Sequence, residues 1–470
     1  VAGSLFERGL AIAIEFAADR LGVVHGRTGC KTGATFPLRG VTARARLRSA
    51  AADRASRVAD CSIMRWNAQL RPPQDGRSRE LHSMKFATKA IHVGQHADPT
   101  TGATVPPIYQ TSTYTQEAPG KHKGFEYSRT NNPTRQALEQ CLAAIEGAQA
   151  AACFASGLAA TNTVIQALLS AGDSFVAYGD MYGGTYRLLE NVFGRWGLAA
   201  RYTESTDPGA LAELVDATTK VVWLETPTNP MLRLLDIRAV AQAVHEKSAK
   251  AGGDVRLVVD NTFATPALQQ PLALGADLVV HSASKYLAGH CDVIGGAVVG
   301  RTADVLAPVR FAQNAAGGIP GPFDCFLTQR GVKTLALRMQ AHSDNATRIA
   351  RWAAQRAEFD SVIYPGLDTH PDCELCKRQM RRPGGMLTLI LNGGLDAASA
   401  FMSSTKLFSC AESLGGVESL ANHPAIMTHA AVPRQRREQL GIVDGLVRLS
   451  VGIEDVDDLI ADIEQALASL

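Results

Sequence analysis

The chain has 470 residues, 46% hydrophobic and 20% charged, with a formal net charge of +2. This is an ordinary globular composition, which excludes a disordered, collagen-like or disulfide-scaffold protein. No apolar run reaches the roughly 18 residues a membrane-spanning helix needs, and so small a net charge gives no reason to expect a nucleic-acid partner.

The charge is unevenly placed. Residues 1–83 hold 13 Arg and one Lys against seven Asp or Glu, so the chain from Met84 onward is net acidic. An amphipathic helix is expected near residues 5–20. An Arg/Ala stretch follows at Val41–Arg48, and residues 71–79 form a polar Pro/Gly run. One reading of this segment is an Arg-rich targeting peptide. The favoured reading is a basic extension outside the protein proper, disordered or an artefact of the assigned gene start. The chain opens on Val, as an alternative start codon read literally would give, and seven acidic residues suit a transit peptide poorly.

Residues 84–143 are expected to form an N-terminal arm, because 86–130 are rich in Thr, Tyr and Gly and contain Pro106–Pro107. From about 144 to 335 short apolar runs alternate with helical patterns. The clearest strands are Ser174–Tyr178, Val221–Glu225, Leu257–Asp260, Leu278–His281 and Gly296–Val299, and the helical segments include 133–146, 184–196 and 236–249. Strands apolar on both faces and separated by helices predict an α/β domain, its mostly parallel central sheet sandwiched by helices. After about 335 the style changes. A helical stretch at 333–357, an apolar run at Met386–Leu391 and an acidic amphipathic helix at about 454–469 predict a smaller α+β domain over 336–470.

The nine Cys are odd in number and lack framework spacing, so they read as reduced thiols of a cytoplasmic protein. Cys373 and Cys376 form a single C-x-x-C with His370 nearby. A zinc site needs a fourth ligand that is not evident, so two unrelated thiols are expected and no metal.

In open parallel sheets, ligands bind beyond the carboxyl ends of the strands. Three strand ends deliver Asp260, then Lys285 flanked by Ser282 and Ser284, then Asn229. An Asp and a Lys on one rim suit pyridoxal phosphate: the amine makes a Schiff base with the aldehyde, and the carboxylate keeps the ring nitrogen protonated. Ser156–Gly157–Leu158 opens a helical run and would offer free amides to the phosphate. The dinucleotide and P-loop glycine patterns are absent. A surface Lys and a strand-capping Asp are the plain alternatives.

The chain from about 84 to 470 resembles the Cys/Met metabolism family of pyridoxal-phosphate (PLP) enzymes, the transsulfuration enzymes. The resemblance rests on Tyr127–Ser128–Arg129 with Asn132–Pro133–Thr134, Phe154–Ala160, Tyr182–Thr185, Glu225–Pro230, Val259–Thr262, Ser282–Tyr286, Ala411–Gly416 and Arg448–Glu454. It implies an aspartate-aminotransferase-like fold (fold type I). It also implies roles: Lys285 as Schiff-base lysine and proton shuttle, Asp260 on the ring nitrogen, and Tyr182 stacked on the ring, able to act as a base if its pKa is lowered. Gly157, Leu158, Ser282 and Ser284 would hold the phosphate. Tyr127 and Arg129 would reach the cofactor of a neighbouring subunit, which implies a homodimer sharing its active sites, usually paired into a tetramer. Arg448 would clamp the substrate α-carboxylate, with Asn229, Ser413 and Arg187 helping.

Family members act at the β or γ carbon of small amino acids, and the shared motifs suit both. Glu412 resembles its counterpart in enzymes acting on cystathionine at the γ carbon, where a carboxylate could receive the distal ammonium. Gly184 stands where methionine γ-lyases resemble a Cys-containing version. The expected reaction is therefore γ-elimination of cystathionine, with γ-replacement on a homoserine ester as the alternative and β-elimination or methionine γ-elimination behind both.

Overall fold

The computed structural model describes residues 83–430 and 432–470. The basic extension, with its expected helix at 5–20, lies outside the described residues.

A first helix, α1 (Phe86–His92), stands inside the segment expected to be loop. The rest of the arm is largely irregular and exposed as far as residue 131. Helix α2 (Pro133–Glu146) begins where Asn132 caps it: the Asn132 side chain accepts from the amides of Thr134 and Arg135, and Pro133 fills a position that needs no amide. It runs through the boundary expected at 143–144, because its buried face packs on the central sheet.

That sheet has seven strands in the order β1-β7-β6-β5-β4-β2-β3. They are β1 (Ala150–Phe154), β2 (Ser174–Tyr178), β3 (Ala199–Thr203), β4 (Thr219–Glu225), β5 (Arg256–Asp260), β6 (Leu278–Ser282) and β7 (Gly296–Gly300). Strands β6, β5, β4, β2 and β3 are parallel, while β7 runs antiparallel between β1 and β6. Alternate residues serve opposite layers. Val222, Leu224, Leu257 and Val259 join one core, and Val221, Trp223, Val258 and Val280 join the other. Both faces are thus covered, which is why these strands read as unbroken apolar runs.

Helix α3 (Gly157–Leu168) follows β1, and α4 (Gly183–Asn191) follows β2. The helix expected at 184–196 ends at Asn191 and is succeeded by a tight 3-10 turn at Phe193–Trp196. Helix α5 (Ile237–Lys250) precedes β5, and α6 (Ala303–Ala316) follows β7. The expected stretch at 333–357 is α8 (Leu335–Ala353), preceded by α7 (Pro322–Val332).

A second sheet has five strands in the order β10-β11-β12-β9-β8: β8 (Phe359–Ile363), β9 (Met386–Leu391), β10 (Ser409–Cys410), β11 (Leu420–Asn422) and β12 (Leu446–Ser450). Helices α8, α9 (Gly394–Ser404) and α10 (Val456–Leu467) enclose its core. The Thr388 hydroxyl on β9 donates to the Pro230 carbonyl at 2.8 Å, binding this sheet to the loop after β4. Among the described residues no helix is long and apolar enough to cross a membrane.

Candidate active site

Because β1, β2, β4, β5 and β6 point the same way, their carboxyl ends meet on one rim. The chain leaves β1 into Ser156, which caps α3: its side chain accepts from the Ala159 amide at 3.0 Å. The first amides of a helix have no intrahelical acceptor, and those of Gly157 and Leu158 find none among the described residues. A Cβ on Gly157 would fall 2.9 Å from the Ser282 Cβ, so this backbone can face a ligand only as glycine. The Ser284 hydroxyl is already engaged, accepting from the Gly295 amide at 3.0 Å and donating to its carbonyl at 3.3 Å.

Lys285 lies in the turn after β6 and donates to the Ser413 hydroxyl at 2.5 Å. Burial, and then the charge of Arg448, push its amine down to about 8; Cys291 and Glu412 oppose this. Arg448, on the inner strand β12, is 1% exposed. Its guanidinium donates to Asn229 Oδ1 at 2.7 Å and to the Ser413 carbonyl at 2.9 Å, and its buried Nε has no partner. Burial lowers Arg448 to about 10, against the pull of Tyr286 and Glu225. Ser413 therefore touches both cations, and it does so with φ at 91°, a conformation non-glycine residues rarely hold.

Asp260 closes β5. Its Oδ1 accepts from both the amide and the hydroxyl of Thr262, at 3.0 and 2.5 Å, and Oδ2 is left free among the described residues. Burial raises its pKa; the Thr262 hydroxyl and amide, and the charge of His281, pull it back. Glu225 lies across from Asp260 in the β4–β5 register. Burial first, and then the Asp260 charge, raise the Glu225 carboxyl well above its usual range. It accepts the Tyr182 amide at 2.7 Å and so holds the start of α4. The Tyr182 phenol is itself raised by burial, with Arg187 opposing. Arg448 opposes this rise as well, so two cations face the Tyr182 phenol.

Glu412 and Arg187 are exposed at the edge of this group. The charge of Glu412 is felt by Lys285, Tyr182 and Arg448. Tyr127 and Arg129 are not brought to the site. Tyr127 is 45% exposed, Arg129 lies 5.6 Å over its ring, and the Arg129 guanidinium donates to the Asn314 carbonyl on α6.

Sequence reasoning quoted Glu225 and Thr262 inside motifs but gave them no part, and it passed over Asp180. Asp180 is buried, raised to about 7 chiefly by burial, and takes a hydrogen bond from the Thr228 hydroxyl. Cys373 is half-buried and Cys376 buried on one short helix, Cys373–Gln379. The nearby His370 accepts the Asp372 amide through Nδ1 at 3.1 Å. Among the described residues no group of three or more His, Cys, Asp or Glu is placed to hold a metal.

The residues fit an aldehyde cofactor carrying a phosphate: bare amides beside a glycine that admits no side chain, a free carboxylate oxygen, and a lysine whose amine is half neutral at about pH 8.

Residues 87–468 match the family of Cys/Met metabolism PLP-dependent enzymes. The chain is 49% identical over 382 residues to a cystathionine beta-lyase of Coxiella burnetii, covering 81% of this chain and 97% of that one. It is 50% identical over 382 residues to a cystathionine gamma-synthase of Mycobacterium bovis, covering 81% and 96%. A solved cystathionine gamma-lyase from Lactobacillus plantarum, complexed with L-serine, superposes with a TM-score of 0.79 at 45% identity, covering 82% of this chain and 99% of that one.

Proposed function

The chain belongs to the Cys/Met metabolism PLP-dependent enzymes, and on that premise we propose that its reaction is the γ-elimination of L-cystathionine to cysteine, 2-oxobutyrate and ammonia. Three relatives of nearly equal identity carry three different names, so the choice of substrate rests on the site. The observation that carries it is Glu412, an exposed carboxylate whose charge reaches Lys285, Tyr182 and Arg448 together.

Pyridoxal phosphate supplies, when bound, an aldehyde for the lysine and a ring that withdraws electrons from the substrate carbons. Gly157, Leu158 and Ser282 would hold its phosphate, Asp260 would take the ring nitrogen, and Tyr182 would lie against the ring. Arg448, oriented by Asn229 and Ser413, would bind the substrate α-carboxylate. Glu412 receives the distal ammonium. Lys285, on a long flexible stem, would take the proton from Cα, hand it on to the conjugated system and so be neutral again to take the one from Cβ; the Cγ–S electron pair would leave with the sulfur, which would accept that second proton and depart as cysteine, and water would complete the release of 2-oxobutyrate and ammonia. Tyr127 and Arg129 serve the site of a second copy, which makes the working form a homodimer or a tetramer built from it. The exposure of the arm supports this.

The test is to incubate the purified protein with L-cystathionine alone and identify the products by mass spectrometry. Cysteine with 2-oxobutyrate is expected. Pyruvate with homocysteine would establish β-elimination and overturn the use made of Glu412. No turnover of cystathionine, together with its synthesis from cysteine and O-succinyl- or O-acetylhomoserine, would establish γ-replacement instead.

A further inference from the structure

We infer that Thr262 is a positioning residue for the cofactor: its hydroxyl ties Asp260 to Ser282, and so joins the ring-nitrogen anchor to the phosphate anchor. The inference rests on the reading of Asp260 given above.

The Ser282 amide donates to Thr262 Oγ1 at 2.9 Å. That N–H occupies a lone pair, so the hydroxyl's single proton goes to its other neighbour, Asp260 Oδ1, at 2.5 Å. The Thr262 amide adds a second donor to the same oxygen at 3.0 Å. One carboxylate oxygen is thereby filled from below, and Oδ2 is the one left to accept from a protonated ring nitrogen. A carboxylate that accepts two hydrogen bonds is also favoured in its ionised form, which offsets part of its burial.

The same hydroxyl reaches the other end of the cofactor. Ser282 lies against Gly157, where even a Cβ would come within 2.9 Å. The ends of β5 and β6 and the first turn of α3 are therefore one connected unit, with Thr262 as its link. A threonine is apt because its β-branch restricts χ1 and holds the hydroxyl in place. Valine keeps that shape and loses the hydroxyl, while serine keeps the hydroxyl and loses the methyl.

The experiment measures cofactor retention, independently of turnover. Apoprotein of the wild type and of Thr262→Val, Thr262→Ser, Asp260→Asn and the Thr262→Val/Asp260→Asn double variant is titrated with pyridoxal 5′-phosphate, and binding is followed by tryptophan fluorescence. A lost hydrogen bond to a charged group predicts weaker binding by roughly tenfold or more for Thr262→Val. Thr262→Ser should bind nearly as the wild type, and Thr262→Val should add little once Asp260 is Asn. Weakening by Asp260→Asn but not by Thr262→Val would overturn the inference and leave the Asp260 reading standing. So would a serine variant as weak as the valine one, since packing and not the hydroxyl would then be at issue. Unchanged binding by Asp260→Asn would remove the Asp260 reading, and this inference with it.

Discussion

The amine of Lys285 should behave as a far weaker base than a surface lysine. Its environment moves it from 10.5 to about 8. At pH 7 the neutral fraction then rises from about three in ten thousand to about one in ten, a gain of roughly 300-fold in reactive amine. The perturbation is pH, applied to apoprotein mixed with pyridoxal, whose lack of a phosphate removes a second titration from the profile. The assay is the rate of loss of free-aldehyde absorbance, with Lys285→Ala as the blank for the N-terminal amine and surface lysines. The Lys285-dependent rate should climb about tenfold per pH unit and level off near pH 8. Arg448→Gln should move that midpoint upward, because the guanidinium charge is the second cause of the shift after burial. The sign also fixes a stability trend. The folded state loses this proton before the unfolded state does, so the contribution of Lys285 to apoprotein stability rises as pH climbs from about 8 towards 10.5. A rate still climbing past pH 10, or equal rates in Lys285→Ala, would mean that the Lys285 amine is not depressed.

Lys285→Ala should abolish turnover and leave the circular dichroism spectrum and thermal melting of the protein in place; retained activity would exclude Lys285 as the base. Arg448→Lys loses a planar, multiply bonded guanidinium, and KM for cystathionine should rise by roughly 10- to 100-fold in steady-state kinetics. Glu412→Gln should raise KM for cystathionine and spare a substrate without a distal ammonium; equal effects on both would remove Glu412 from substrate recognition. Asp180 is raised to about 7, so the folded state holds its proton longer than the unfolded state and stability falls as pH rises from about 4 to 7. Urea melts across that range should show a shallower fall for Asp180→Asn, and identical slopes would count against a buried titrating acid there.

The parallel strands were legible in the sequence because burial on both faces leaves them without polar interruptions. Ala150–Phe154 was not, since Ala-Ala-Ala-Cys-Phe carries no period that separates strand from helix; only its antiparallel pairing with β7 makes it a strand. Ala199–Thr203 was missed for the opposite reason: it is an edge strand, half-exposed and polar. In the site, Lys285 and Asp260 could be found by their place just after apolar runs. Glu225 could not be assigned a part because its neighbour Asp260 is set by cross-strand register. The link through Thr262 depends on which way one hydroxyl turns, and the strained backbone of Ser413 on contacts from strands far along the chain. Tyr127 and Arg129 stand on an arm that is largely irregular and exposed, so no period or burial pattern marks them.

The rim draws Gly157, Tyr182, Asn229, Asp260, Lys285 and Arg448 from positions separated by tens of residues, most of them at or just beyond the ends of strands whose crossovers must close first. Contacts so distant in sequence form late and slow the folding of a chain. The chemistry requires the whole span from Gly157 to Arg448, with its large loops closed. A ligand that grips the first turn of α3, the end of β5 and the turn after β6 together binds the completed arrangement alone, and so holds the equilibrium there by mass action. A cofactor held at those three points would in this sense also be a staple of the tertiary structure. Its withdrawal should open the loops at the rim to protease before the sheet beneath them yields.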